Sequence, residues 1–159
     1  MCMNSEYINP FIQGAQNVLN MVCNDSPKLG NIFLKKAPPA CEPVSIIIGI
    51  MGDIQGCVIY TLKMDGACRI ASKMMYGMPV AQLDDMSLSA LGELGNMISG
   101  NVATLFAGKG ISVDITPPIC KLNAGEDEFR LMPDGAVIFC VPLVMQSGDV
   151  FEVDIFVRE

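Results

Sequence analysis

Two side chains set the chemical question for this chain. In the segment Ser87-Leu-Ser-Ala-Leu-Gly-Glu-Leu-Gly-Asn-Met-Ile-Ser-Gly-Asn101, Glu93 and Asn96 stand three residues apart. On a helix that spacing brings both onto one stripe. A carboxylate can pair with a cation or move a proton. A carboxamide is neither acid nor base near neutrality, but its oxygen accepts a hydrogen bond from water. The chain contains no histidine, which removes Ser-His-Asp, Cys-His and histidine–metal chemistry together. Any catalysis must come from carboxylates, amides, hydroxyls, lysines or thiols, or from reactive groups lent by a partner.

The segment reads as part of a long helix from Asp84 to Ala107, closed by Gly108 and Gly110. At about 100° per residue, Leu88, Leu91, Leu94, Ile98, Val102 and Leu105 share one side, which must be core. Asp85, Ser89, Glu93, Asn96 and Gly100 lie opposite. Gly92, Gly95 and Gly100 interrupt this helix. Each glycine loses roughly 1 kcal/mol relative to alanine, so the three together cost about 3 kcal/mol. Two readings account for that cost. The glycines can leave a smooth surface from which Glu93 and Asn96 protrude toward another protein. Alternatively, they let the helix pack closely on a sheet or a second helix, and the two polar residues are merely solvated.

The elements that must position this helix are legible in outline. A first helix is expected from about Glu6 to Cys23, with Asn4 or Ser5 as its cap and Ile8, Phe11, Ile12, Ala15, Val18, Leu19 and Val22 as its apolar face. Pro10 suits only a first turn, which allows a start near Asn9. Residues 24–30 read as a loop. Residues 31–36, 44–51 and 54–62 read as strands, the last two flanking a tight turn at Gly52-Asp53. A short helix is expected from Asp65 to Tyr76, ended by Gly77 and Pro79. An extended segment at 111–118 stops at Pro117-Pro118. The polar loop after it carries Glu126-Asp127-Glu128, read as a solvated connection. Two closing strands, 135–145 and 150–158, flank Gln146-Ser147-Gly148-Asp149. Pro142 implies an edge or bulge in its strand. The last strand alternates apolar and acidic residues, so one of its faces should be wet. Hairpins dominate. The expected fold class is α+β: one domain over residues 1–159, a mostly antiparallel sheet with helices packed on one face.

Composition narrows the function. Hydrophobic residues make up 51% and charged residues 17% of 159, which excludes a disordered chain. No apolar run reaches the roughly 18 residues of a membrane span, and no secretory signal is visible; a soluble cytoplasmic protein is expected. The formal charge of −7 argues against nucleic acid as partner. The Lys35-Lys36 pair is too small to be a basic patch. The seven cysteines are scattered, with no C-x-x-C pair, so reduced buried or half-buried thiols are expected rather than a zinc site or a disulfide framework. The twelve methionines read as core filler.

Leu88-Ser-Ala-Leu-Gly-Glu-Leu-Gly-Asn-Met97, with Val113-Asp-Ile-Thr-Pro-Pro118 downstream, resembles the CheX branch of the CheC/CheX/FliY chemotaxis phosphatases over nearly the whole chain. That family's motif is Asp or Ser, three residues, Glu, two residues, Asn, then a proline about twenty residues on. Ser89, Glu93 and Asn96 match its first three positions, and Pro117 or Pro118 the last. The resemblance implies an enzyme that removes phosphate from the phosphoaspartate of a CheY-like response-regulator receiver. It implies Asn96 as the residue orienting the attacking water and Glu93 as the partner of a receiver lysine. Ser89, Gly92, Gly100 and Asp85 would then belong to the partner-binding surface. It implies no metal or cofactor of the chain's own, with magnesium held by the receiver, a homodimer joined through sheet edges, and a stimulating adaptor as a further partner. Some relatives carry a second motif on the first helix. Here Asn17 aligns with Asn96, but Gly14 stands where Glu93 would be, so one site per chain is expected.

Two other readings remain at this level. Related flagellar-switch domains bind a phosphorylated regulator without hydrolysing it, which makes a non-catalytic binding module the alternative. A thiol enzyme would need a cysteine activated by a helix N-terminus or a lysine.

Overall fold

The computed structural model describes residues 5–37, 43–123 and 132–159. Three helices lie on one face of an eight-stranded antiparallel sheet. In chain order the elements are α1 (Ser5–Cys23), β1 (Lys28–Leu29), β2 (Phe33–Lys36), β3 (Val44–Gly52), β4 (Gln55–Leu62), α2 (Met64–Met74), α3 (Asp85–Ala107), β5 (Val113–Ile115), β6 (Ile119–Leu122), β7 (Val137–Val144) and β8 (Val150–Arg158). The sheet runs β1-β7-β8-β4-β3-β5, with β2 also on β7 and β6 also on β3. The α+β expectation therefore holds. The Glu126–Glu128 loop, Cys2, Cys41 and the cap residue Asn4 lie outside the described residues.

Turn chemistry builds the two hairpins. β3 and β4 pair from Val44 with Leu62 to Ile50 with Gly56. Their turn uses Gly52 at φ 118°, a conformation that side chains strain to adopt. β7 and β8 close through Gly148 at φ 89°, with Gly148 N–H donating to Met145 O at 2.9 Å and Met145 N–H to Asp149 O at 2.8 Å.

Several sequence expectations are corrected. α1 starts at Ser5, not near Asn9, and runs through Pro10. The proline ring is buried and forgoes one N–H bond to the preceding turn, while the buried residues Ile8, Phe11, Ala15, Val18 and Leu19 hold the helix down. Residues 28–29, read as loop, form β1; 119–122, not read as a strand, form β6. Both are short ladders with weak patterns, made by the strands they meet. Pro142 lies in an interior strand. It falls between the β2 ladder, which ends at Cys140, and the β1 ladder, which begins at Leu143. Its carbonyl accepts from Gly30 N–H at 2.8 Å. Because N and C=O of one strand residue face the same neighbour, its missing donor falls where the pairing is already broken.

The main core lies between helices and sheet. Ile46, Ile48, Val58, Tyr60, Val153 and Ile155 meet Phe11, Leu19, Leu91, Leu94, Ile98 and Phe106 there. Phe11 and Phe106 pack edge to face at 5.5 Å, and Tyr60 stacks on Phe151 at 5.5 Å. Leu88 and Leu105, expected in the core, are only half-buried, and Phe106 fills the inner position at the end of α3. α3 sits directly on β3. A Cβ added at Gly95 would lie 2.6 Å from Ile46 Cγ2, and one at Gly14 of α1 would lie 2.6 Å from Val102 Cγ2. These two glycines let the layers and helices close up. Among the described residues nothing lies within 4 Å of a Cβ added at Gly100, and a Cβ at Gly92 would make an ordinary 3.8 Å contact with Pro118.

The opposite face of the sheet is not simply wet. Ile47, Cys57, Ile59, Ile138 and Cys140 form a second cluster with Ala37 and Met132. Asp154 of β8 is only 1% exposed within this face. Lys35 of β2 lies 2.7 Å from Glu152 and 3.7 Å from Asp154, and among the described residues Asp154 Oδ1 has no hydrogen-bond partner. Burial pushes the Asp154 carboxyl up to about 7, and the neighbouring Glu152 adds to this while Lys35 opposes it. Burial works to lower Lys35, but its hydrogen bond to Glu152 and the two negative charges win and raise it.

Two outcomes follow from this packing. Ile46 is β-branched and stiff, so Gly95→Ala should destabilise the fold by about 1–3 kcal/mol through overpacking, whereas Gly100→Ala should stabilise it by roughly 0.5–1 kcal/mol; urea unfolding of the two variants measures both. An acid whose folded-state value is raised stabilises the fold below its unfolded value and loses that contribution as pH rises through the folded one. Unfolding free energy should therefore fall between about pH 4 and pH 7, and Asp154→Asn should flatten that fall.

Candidate active site

α3 begins on a capping box. Asp84 Oδ1 accepts from Ser87 N–H at 2.9 Å, and Ser87 Oγ accepts from Asp84 N–H at 2.7 Å. Together they satisfy two donors that the first turn leaves open. The hydrogen bonds from Ser87 hold the exposed Asp84 carboxyl below its usual range. At the sheet, Tyr60 Oη and Ser99 Oγ share a hydrogen bond at 3.1 Å. Burial pushes the Tyr60 hydroxyl up, with Ser99 opposing. The cap fixes where α3 starts. Gly95 over Ile46 and Ser99 at Tyr60 fix how it is rotated.

With that rotation, the outward stripe carries Asp85, Ser89, Glu93 and Asn96, all exposed. No described residue gives Glu93 or Asn96 a hydrogen bond or ion pair, and one helical turn separates them. The stripe is flanked by a groove of about 390 Å³ lined by Asp85, Leu88, Ser89, Gly92, Glu93, Pro118 and Cys120. Its far wall is held to β3: Thr116 N–H donates to Gly49 O at 3.0 Å, and Gly49 N–H donates to Thr116 Oγ1 at 2.8 Å. Pro118, rather than Pro117, faces the helix.

The candidate residues thus separate into three settings. Glu93, Asn96, Ser89 and Asp85 share the open stripe. Gly92 is buried beneath the groove and Gly100 lies half-buried further along α3, outside the groove, so neither carries a protruding group. Gly95 belongs to the packing of α3 on the sheet. The two readings of the glycines therefore both apply, to different residues. Cys120 and Leu88 were not singled out by sequence. Leu88 reads as core by periodicity, and Cys120 reaches the groove only because β6 pairs with β3 beside α3.

On α1, Asn17 is exposed and its Nδ2 donates to Asn101 Oδ1 at 3.3 Å. Gly14, where a second acid would stand, is buried against Val102 and the Ile98 carbonyl. A glutamate has no space there.

Among the described residues, burial keeps the thiols from competing. Burial pushes Cys57 up to about 12 and Cys120 up to about 11, and it is the main cause raising Cys23, Cys68 and Cys140. Each of the five described cysteines is disfavoured as a thiolate. Among the described residues, Cys140, Glu152 and Asp154 are the group of potential ligands close enough to share an ion. They lie on the face of the sheet away from α3, and Lys35 already supplies a cation there. No helix of the described residues is long and apolar enough to cross a membrane.

Known proteins share this sequence and this fold. Residues 44–140 match the family described as chemotaxis phosphatase CheX. The chain is 33% identical to the CheY-P phosphatase CheX of Thermotoga maritima, over 98% of each chain. It resembles CheX of Borrelia burgdorferi, solved as a CheX–CheY–BeF3–Mg²⁺ complex, with a TM-score of 0.76 and 30% identity over 96% of this chain and 98% of that one. It also resembles a CheC-like superfamily protein from Shewanella sp. PV-4, with a TM-score of 0.80 and 27% identity over 99% of this chain and 100% of that one. The chain therefore belongs to the chemotaxis phosphatase CheX family.

Proposed function

We propose that this protein hydrolyses the phosphoaspartate of a CheY-like receiver domain, with Asn96 and Glu93 as the residues that act. The observation that carries the reading is the pair of exposed side chains without partners, one turn apart on α3. The Thermotoga relative is named a CheY-P phosphatase, and the Borrelia relative was solved with CheY, BeF3 and Mg²⁺; both support the same substrate class here.

The reaction needs positioning and charge neutralisation more than covalent help. The Asn96 carboxamide oxygen accepts a hydrogen bond from a water and aims it at phosphorus, in line with the bond to the receiver aspartate. The new P–O bond forms as the old one breaks. The aspartate leaves as a carboxylate, inorganic phosphate is released, and the water's proton passes to phosphate or solvent. Glu93 pairs with a lysine of the receiver, holding the helix over the site. The magnesium belongs to the receiver. An acidic catalyst without histidine can do this, because the group it contributes is neutral.

A homodimer joined through sheet edges belongs to the same proposal. On the β7 flank, the strand residues Leu29, Phe33 and Leu34 are exposed, and an uncovered edge with apolar side chains calls for cover.

Mixing phosphorylated receiver with the protein and following phosphate release tests the reading. Asn96→Ala should keep the parent's melting behaviour, since Asn96 is exposed and alanine favours the helix, and should lose about 10²-fold or more in rate. Equal rates for the two proteins would refute the role of Asn96. Complex formation without phosphate release by the parent would favour a binding module.

A further inference from the structure

We infer that the groove beside Glu93 receives a second basic side chain of the receiver, with its stem along the groove and its charged head at Asp85. The inference rests on the phosphatase reading and extends it from the reacting pair to partner selection. Asp85 then acts as a specificity-determining contact, not as a catalytic residue.

Three observations lead here. The groove has a carboxylate at each end, Asp85 and Glu93, with the Ser89 hydroxyl between them, and no lysine or arginine among its lining residues. Eight residues of helix put the two acids about 12 Å apart along the axis, so a cation at Glu93 leaves the Asp85 end for another. Neither acid is paired within the described chain. The ion-paired cations near other acids are engaged elsewhere: Lys35 with Glu152 and Asp154, Arg69 with Asp149.

The wall between the acids is apolar: Leu88, Pro118 and Cys120. Burial holds the Cys120 thiol neutral. A long aliphatic stem ending in a charge matches such a channel, because the stem covers apolar surface while the head reaches a carboxylate. A purely apolar occupant would leave Asp85 without a counter-charge.

Gly92 supplies the third observation. Glycine weakens a helix interior, and the fold does not require it at this position. A Cβ would sit 3.8 Å from Pro118 Cγ, in ordinary contact, unlike the 2.6 Å approach at Gly95. What glycine preserves at 92 is open space between α3 and Pro118. Asp85 also lies in the first turn of α3, where an acid favours the helix dipole. That role acts on stability alone, and kinetics separate it from contact with a partner.

Steady-state dephosphorylation over a range of phosphorylated receiver concentrations, at low and high salt, tests the inference. Asp85→Asn should raise KM up to about fivefold, the span of an exposed ion pair, and weaken its salt dependence, with the effect on KM rather than kcat. Asp85→Lys should raise KM further. Replacing the matching receiver lysine or arginine by glutamate should rescue Asp85→Lys. Gly92→Ala should raise the melting temperature and KM together. Parental KM and salt dependence in Asp85→Asn and Asp85→Lys would overturn the inference. Calorimetric titration with receiver loaded with beryllofluoride reads the same contacts without turnover. If the parent binds but hydrolyses nothing, the phosphatase reading fails while the groove is still judged by the Asp85 variants.

Discussion

The close seating of α3 on β3 is the constraint on which the rest of the molecule depends. Gly95 lies over Ile46 with no room for a methyl group, so the helix approaches the sheet at that point and can take one rotation. Leu91, Leu94, Ile98, Val102 and Phe106 then fall inside. Burying each such side chain is worth about 1.5–3 kcal/mol, which makes any other rotation expensive. The outward direction of Glu93 and Asn96 is the complement of that burial. The Ser99–Tyr60 hydrogen bond and the capping box at Asp84 and Ser87 hold the same rotation from within the helix.

A site made this way contributes geometry rather than reactive groups. Asn96 has no proton to give at neutral pH, and Glu93 offers a carboxylate rather than a nucleophile or a metal site. Their value lies in a rigid helix that presents them without internal partners. This division suits a reaction whose phosphorus, metal and leaving group all sit on another protein. It also explains how a chain with no histidine, and with its described thiolates disfavoured, can belong to a phosphatase family. Neither Glu93 nor Asn96 has a partner among the described residues, as the proposed contact with a receiver requires.

The far face of the sheet follows a different rule. There the charged residues are drawn into the fold. Lys35 ties the short strand β2 to Glu152 and Asp154 of β8 across β7. Only 1% of Asp154 is exposed, and one of its oxygens has no hydrogen-bond donor among the described residues, so this face holds charge at a cost that the helix-covered face avoids. The two faces thus separate the roles of the acids: those on β8 organise a sheet edge, and those on α3 stay free.

Much of this was legible in the residues. The apolar period of 84–107 and the glycines after it define α3 with little help from context. Gly52 and Gly148 mark the two hairpins because the turns there demand positive φ. The three-residue spacing of Glu93 and Asn96 puts them on one stripe in any helix. Other features could not be read. Residues 28–29 and 119–122 have weak strand patterns and become β1 and β6 only where β7 and β3 offer ladders. Alternation on β8 suggested a wet face, but Asp154 is buried because β2 and Lys35 close over it. Identical glycines in α3 proved unequal, since the neighbour each one meets comes from a different part of the chain. Local sequence therefore determined which side chains share a face and where the chain turns, because backbone sterics and periodicity act over a few residues. Only tertiary packing decided which glycine is a contact and which leaves space, which acid is buried and which is free, because those depend on atoms far away in sequence.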